Sequence, residues 1–404
     1  MIWNFRLHFA GSMVSIIGTW MQLTGQAWLV LQLTGSPLSL AIVTSLQFLP
    51  VMLLSLIGGA IADRYARRRL MILTQSLGAV QAGLMGLLCA SGSVTIWQIY
   101  AMAMTLGLIN ALDLPLRQAF TGELVPPAYL PNAIAMNSLS QNLGRIIGPA
   151  VGGLVIAALG VSATYFINAL TFGGALLALV CMRAGDFQPR RAASPQPLFG
   201  QVREAMVYAR GTPAVLFLLI ATAFIGLFGQ NFATIVPLIS TFLVHASPAE
   251  FGILNSCLGS GSFIAAAVMT TRGAPSTQRI LLAGTVFGAG LVAISFSTQL
   301  VLSGAIFVFV GAAAVTFSAS MQTSLQLWAP PEMRGRLASI VSLLVPSPIG
   351  PILTGAAATT FGVPLTVLMN GLLCCAGIGM AYAFLRYHRR RGTLFVHRDP
   401  TDSA

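Results

Sequence analysis

Of the 21 arginines in this chain, 20 lie between apolar runs or beside the termini, and one does not. Arg145 stands about 13 residues, or roughly 20 Å of helix, inside an apolar run. A charge at that depth is expensive and is functional by default. Asn137, Gln141 and Asn142 occupy the preceding turns. Together these residues can line a polar cavity and take a carboxylate, catecholate or phosphate group. The competing reading is an arginine pinned structurally to helix-end carbonyls or to an acid. The remaining polar residues inside apolar runs are mostly amides: Gln22 and Gln26, four apart on one face near Trp20, then Asn110, Gln230, Asn231, Asn255, Gln322 and Gln326. Amides and aromatics suit a large, multiply hydrogen-bonding amphiphile better than a small ion, although each amide alone also serves as an interhelical bond. No carboxylate occupies the middle of an apolar run, and the titratable candidates His8, Asp63 and Asp113 sit near run ends.

Other chemistry finds little support. The chain has no lysine and therefore no phosphate loop ending in Gly-Lys, so ATP is not the direct energy source. It has no His-Glu-any-any-His pair, and Cys89, Cys181, Cys257, Cys374 and Cys375 lie in apolar runs without metal-ligand spacing, as free thiols do. Gly259-Ser260-Gly261-Ser262 has only His245, in a turn, near it. An enzyme is not expected, nor a metal or any other cofactor.

These residues must be held by elements that water does not surround. Of 404 residues 56% are hydrophobic and 7% charged, with a mean hydropathy of +0.84. Soluble domains carry about 25% charged residues, so the composition is that of a bilayer protein. At about 20 residues per span, the apolar runs predict twelve helices, over 7–32, 38–62, 70–90, 95–115, 133–158, 163–183, 214–243, 251–271, 280–297, 300–328, 338–358 and 364–386. The odd-numbered gaps are tight turns without arginine, such as Gly35-Ser36-Pro37 and Gly160-Val161-Ser162, and the even-numbered gaps carry the arginines. By the positive-inside rule both termini are cytoplasmic, and the formal charge of +12 reflects membrane topology, not nucleic-acid binding. The N-terminus reads as a retained first span.

A shift of 202 residues superposes Gly148, Pro149, Gly153, Gly160, Val161, Thr164 and Asn168 on Gly350, Pro351, Gly355, Gly362, Val363, Thr366 and Asn370 without a gap. The chain therefore reads as two homologous halves: a six-helix bundle over 1–183, a cytoplasmic linker with an amphipathic helix over 184–212, a second six-helix bundle over 213–386 and a basic tail over 387–404. Two halves related in this way are a transporter architecture with substrate bound between them. The expected protein is an all-α, multi-pass monomer in the bacterial inner membrane, with a small-molecule substrate.

Two local patterns have physical readings. Gly59, Asp63, Arg64, Arg67 and Arg68 lie at the junction of the second and third spans, where the Asp63 carboxylate can face another helix's N-terminus while the arginines meet anionic headgroups. This is a candidate conformational latch; the alternative is a set of charges that only fixes topology. Gly144, Gly148 and Gly152 recur every fourth residue, with Pro149 and Gly153 among them, so one face admits a close neighbour and the proline bends the helix.

The stretch Gly59-Ala60-Ile61-Ala62-Asp63-Arg64-Tyr65-Ala66-Arg67-Arg68 resembles the loop motif of the major facilitator superfamily, with Ala66 where that motif has glycine. Gly144, Gly148-Pro149 and Gly152-Gly153 resemble its antiporter motif. Asn4 to Leu7, Gly18 to Gln22, Asp113 to Ala119 and Gly144 to Pro149 resemble the branch containing the enterobactin exporter and related siderophore and macrolide exporters. The resemblance implies export of a siderophore or similar amphiphilic natural product by alternating access, with a multidrug or macrolide efflux pump as the rival. It implies proton coupling too, although the mid-span carboxylate of proton-coupled relatives is missing. It further implies that Asp63 docks near the start of span 11 and that Arg67 pairs with Asp113.

Overall fold

The computed structural model describes residues 3–183, 187, 198–271, 275–345 and 347–391, so most of the expected linker and the end of the tail lie outside the described residues. The described elements are helical: α1 (Trp3–Thr34), α2 (Pro37–Arg64), α3 (Arg67–Ala90), α4 (Ile96–Leu124), α5 (Leu130–Leu159), α6 (Val161–Val180), α7 (Leu198–Gly211), α8 (Pro213–Phe224), α9 (Phe232–Phe242), α10 (Pro248–Thr271), α11 (Thr277–Ile294), α12 (Leu300–Trp328), α13 (Pro331–Leu344), α14 (Ile349–Phe361) and α15 (Val363–Arg390). A π-turn, Ile225–Gly229, joins α8 to α9.

The turns expected from Gly, Ser and Pro start helices. The Ser36 side chain accepts from the Ser39 N–H at 3.3 Å with Pro37 at the first helical position. At α4, Thr95 and Gln98 form a reciprocal capping box, the Thr95 N–H donating to Gln98 Oε1 at 2.8 Å. Gly160 and Gly362, the same residue in the two halves, begin α6 and α15 with φ of 81° and 82°, a backbone that glycine alone takes without strain.

Among the described residues, ten segments are long and apolar enough to cross a membrane. Two of the twelve expected spans are not in that set. The first, α1, is 32 residues long and carries Asn4, Arg6, His8, Gln22 and Gln26. The second, expected as one helix over 338–358, is divided into α13 and the 13-residue α14. Pro346 and Pro348 explain the break, since each lacks an N–H and each disfavours helical backbone in the residue before it. The fourth span departs in the other direction. The sequence reading ended it at 115, yet α4 runs through Pro115 to Leu124. Proline deprives the carbonyl four residues earlier of its helical partner, and here the backbone of α2 at Gly58 packs against that Ala111 carbonyl.

The two halves meet at the ends of the helices that the tight turns join. There Gly153 of α5 packs on Pro248 and Gly252 of α10, and Gly355 of α14 packs on Pro37, Leu38 and Ala41 of α2. Gly153 and Gly355 are equivalent under the 202-residue shift, and their partners are equally spaced, Pro248 with Gly252 and Pro37 with Ala41. The two crossings are thus one contact made twice. Ser45 Oγ donates to the Pro348 carbonyl at 2.7 Å, and Ser256 Oγ to the Ile146 carbonyl at 2.6 Å, across the same junction. One large apolar cluster, from Val30 and Leu40 to Phe251 and Phe287, joins both halves and continues through the second as far as Ile280, Leu337 and Leu385. A smaller cluster around Phe5, Met71, Leu116 and Phe120 belongs to the first half alone, at the arginine-rich end. The described part of the central segment, α7, packs on α13, and Glu204 forms an ion pair with Arg336.

Candidate functional site

The glycines of α5 determine where Trp20 stands. A side-chain carbon on Gly144 would lie 3.1 Å from the Trp20 ring, one on Gly148 would lie 2.8 Å from the Ile17 carbonyl, and one on Gly152 would lie 3.2 Å from Met21. Without side chains at these positions, α1 lies directly on α5. Gly153, on the next face, serves α10 instead, and Pro149 sits inside the helix between them. Gly350, which with Pro351 opens α14, likewise leaves room for the Asn231 amide, since a side-chain carbon there would stand 2.5 Å from Asn231 Oδ1.

Arg145, next to Gly144, lays its guanidinium over the Trp20 ring at 5.2 Å. It is exposed, and among the described residues no acid pairs with it. An exposed guanidinium midway along an apolar helix faces water, not lipid. Gln141 on the preceding turn and Gln322 on α12 are also exposed. Arg145 and Gln141 lie on the α5 segment between the Gly153 crossing and the arginine-rich end.

Below Arg145 lies a pocket of about 370 Å³ between α1, α4 and α5. Among its lining residues are His8, Ser12, Arg117, Thr121, Asn137 and Gln141. Asn137 donates to Thr121 Oγ1 at 2.8 Å, which fixes both side chains. The structure thus brings Asn137 and Gln141 together in one pocket, with Arg145 one turn further along α5, beside polar residues that the sequence reading did not place there: His8, Ser12, Arg117, Gln118, Thr121 and Ser138. Arg117 and Thr121 share a helical face, a signal that appears only once α4 is known to continue past Pro115.

The same continuation buries Asp113. It accepts from Thr74 Oγ1 at 2.6 Å and Gln75 Nε2 at 2.9 Å, and pairs with Arg117 one turn on. His8 lies beside this pair, with Ser12 Oγ 3.4 Å from its Nδ1 and Phe120 packed edge-on against it. A carboxylate therefore does sit well inside a span, contrary to the sequence reading. The expected Arg67–Asp113 pair is not formed. Arg67 joins Glu123 at 3.1 Å, Asp63 at 2.9 Å and the Ala119 carbonyl at 2.9 Å. Asp113 lies ten residues, or about 15 Å of helix, away from Glu123, beyond what a side chain at the start of α3 spans. Arg68 donates to the Leu179 and Val180 carbonyls at the end of α6. At the end of α2, Arg64 is exposed, the Asp63 side chain is 41% exposed, and a side chain added to Gly59 would meet nothing within 4 Å. Asp63 accepts from Arg67 at 2.9 Å.

The remaining amides separate by direction. Gln22 is buried, accepting from Asn168 at 2.6 Å and donating to Gln81 at 3.3 Å; it bonds helices together and does not line the pocket. Gln26 is buried against Gln47, whose Nε2 donates to it at 3.0 Å. Asn110 is half-buried on α4. At the π-turn Gln230 donates to Ser318 Oγ at 2.8 Å, and buried Asn231 donates to the Leu227 carbonyl at 2.6 Å, so it too is a structural bond.

Two helical sets, joined at one end by a repeated crossing and carrying a polar pocket within the first, define a membrane transporter, not an enzyme. A solved bacterial homologue of the human lysosomal transporter Spinster shares this fold, with a TM-score of 0.71 over 98% of both chains at 14% identity. Residues 2–391 match the transmembrane secretion effector family of the major facilitator superfamily, and the chain belongs to it. It is 29% identical to the multidrug efflux pump Tap of Mycolicibacterium fortuitum over 365 residues, covering 85% of this chain and 87% of that one. It is 24% identical to the staphyloferrin A transporter of Staphylococcus aureus over 380 residues, covering 91% and 92%.

Proposed function

We propose that the protein is a secondary active exporter that moves a siderophore or similar amphiphilic natural product out of the cytoplasm by alternating access. The observation that carries this reading is Arg145, exposed on Trp20 and one turn beyond a pocket lined by amides, hydroxyls, His8, Arg117 and the apolar Ile16, Leu114 and Ile134. In this reading twelve spans form two six-helix bundles in the bacterial inner membrane, with both termini and the arginine-rich end in the cytoplasm. The conformation described is then the one that loads from inside. Arg145 attracts the acidic group of the cargo, while Asn137, Gln141, Gln322 and the aromatic Trp20 receive its polar and apolar parts. The name of the staphyloferrin A transporter supports a siderophore. That of Tap supports the second reading, a multidrug pump, and so does the apolar remainder of the wall.

Export is coupled, in the same proposal, to protons, and the Asp113–Arg117 pair beside the pocket is the candidate site of that coupling. Asp63 and its arginines act as a conformational latch, so Asp63→Asn lowers flux and leaves the amount of folded protein unchanged. The test is uptake into inside-out vesicles of a catecholate siderophore and of a neutral macrolide, with and without a pH gradient. Gradient-dependent uptake of the siderophore supports the reading. Uptake of the macrolide alone selects the multidrug pump, and uptake of neither refutes export.

A further inference from the structure

Gln26 is 4% exposed, and its Nε2 has no hydrogen-bond partner. A buried donor without an acceptor is a standing cost, and native structures keep few of them. This one borders a cavity of about 110 Å³ at the junction of the two halves. Its walls come from both: Trp20 and Gln26 of α1, Thr44 and Gln47 of α2, Pro149 of α5, and Asn255 of α10. The neighbouring polar groups bond elsewhere: Thr44 Oγ1 donates to the Leu40 carbonyl at 3.0 Å, Gln47 to Gln26 Oε1 at 3.0 Å, and Asn255 to the Phe251 carbonyl at 3.2 Å, and none of their oxygens accepts from Gln26 Nε2. Among the described residues no charged side chain lines the cavity. What Gln26 Nε2 lacks is an acceptor, and the cavity has room for a group of about four non-hydrogen atoms or a few waters.

Trp20 is the wall that this cavity shares with the Arg145 site, since the guanidinium lies over the indole whose ring borders the cavity. We propose that the cavity is a second subsite, which takes a neutral carbonyl of the exported molecule, an amide, lactone or hydroxamate C=O, as the acceptor for Gln26 Nε2. The proposal rests on the reading of Arg145 as the anchor of an anionic group and adds to it: the cargo carries a neutral carbonyl a short distance from its acid. Because the lining comes from both halves, the carbonyl bridges them, and opening of the tight-turn end breaks the subsite and releases the cargo.

The experiment compares two anionic amphiphiles of equal length, N-decanoylglycine, which has an amide carbonyl beside its carboxylate, and tridecanoate, which has only the carboxylate. Their binding to the protein in nanodiscs is followed by tryptophan fluorescence for the wild type, Gln26→Leu, Gln26→Met and Arg145→Gln, with melting temperatures as a check on folding. The wild type is expected to bind the acylglycine about tenfold more tightly. Both Gln26 variants should lose that preference while keeping their affinity for tridecanoate, and Arg145→Gln should weaken both probes alike. Equal wild-type affinities, or a preference that survives in both Gln26 variants, overturns the subsite and leaves the Arg145 reading standing. A preference lost only together with the melting transition assigns Gln26 a structural role and also overturns it. Affinities for both probes that Arg145→Gln leaves unchanged, or no saturable wild-type binding of either, refute the Arg145 reading and the subsite with it.

Discussion

Gly153 and Gly252 pack backbone against backbone: a side-chain carbon on Gly153 would stand 2.9 Å from the Gly252 Cα, and one on Gly252 3.0 Å from that of Gly153. The antiporter-like motif of α5 therefore serves two neighbours, α1 through Gly144, Gly148 and Gly152, and the other half of the molecule through Gly153. If this crossing closes the tight-turn end, a methyl group in it opposes closure. Overpacking costs about 1–3 kcal/mol, so Gly153→Ala should shift the balance of conformations about tenfold toward the state open at that end. Spin labels at Ser162 and Gln299, read by pulsed electron resonance, should report a longer distance. Gly355→Ala, at the equivalent crossing, should act in the same direction. An unchanged distance distribution in both would mean that these glycines pack helices without gating them.

Asp113 and Arg117 form a buried pair, so each alone is worse than neither. Asp113→Asn leaves the guanidinium without its carboxylate and should destabilise the protein by about 3 kcal/mol. Adding Arg117→Gln should restore a large part of that loss, because the uncompensated charge goes with it. Thermal unfolding in detergent measures both. The coupling proposal adds a second readout: Asp113→Asn should abolish uphill transport driven by a pH gradient while retaining exchange of labelled for unlabelled cargo. Gradient-driven uptake at the wild-type rate would remove Asp113 from the proton path.

At the junction of α2 and α3, Arg67 holds Glu123 and Asp63 together. Glu123→Gln should leave Arg67 tied to the end of α4 by the Ala119 carbonyl alone and change the rate of transport severalfold. Stability should fall by about 1–3 kcal/mol, since Arg67 and Glu123 are only 10% and 16% exposed and the guanidinium loses its carboxylate. Vesicle uptake per folded molecule, measured beside thermal unfolding, decides between this and a charge cluster that only sets topology, for which the rate does not move.

Much of the fold could be read from the sequence because turns and apolar runs are local signals. The 202-residue shift located Gly160 and Gly362, whose backbones agree to a degree in φ, and the Gly153 and Gly355 that make the two crossings. What escaped was anything that depends on a neighbouring helix. Pro115 reads as a helix end, and only the approach of Gly58 to the Ala111 carbonyl makes a continuous α4 intelligible. With the helix went Asp113, taken for a residue at a span's end. The direction of an amide is equally hidden. Helix faces toward lipid and toward protein are both apolar, so periodicity does not tell Gln22, bonded to Gln81 and Asn168, from Gln141, which lines the pocket. Arg145 was legible because a charge at that depth needs an explanation whichever way its helix is turned.

The role of Arg145 rests on one comparison: export of an anionic catecholate siderophore and of a neutral macrolide by Arg145→Gln and Arg145→Lys, with melting temperatures taken in detergent. Loss of the contact with Trp20 costs about 1 kcal/mol or less at an exposed site, so the melting temperature should fall by no more than a few degrees. Export of the siderophore should drop by an order of magnitude or more, with the macrolide little affected. Lysine should rescue only part of the loss, because its ammonium keeps the charge without the planar, two-pronged geometry. A Gln variant that melts far lower and loses both compounds equally would contradict this account and make Arg145 a structural pin.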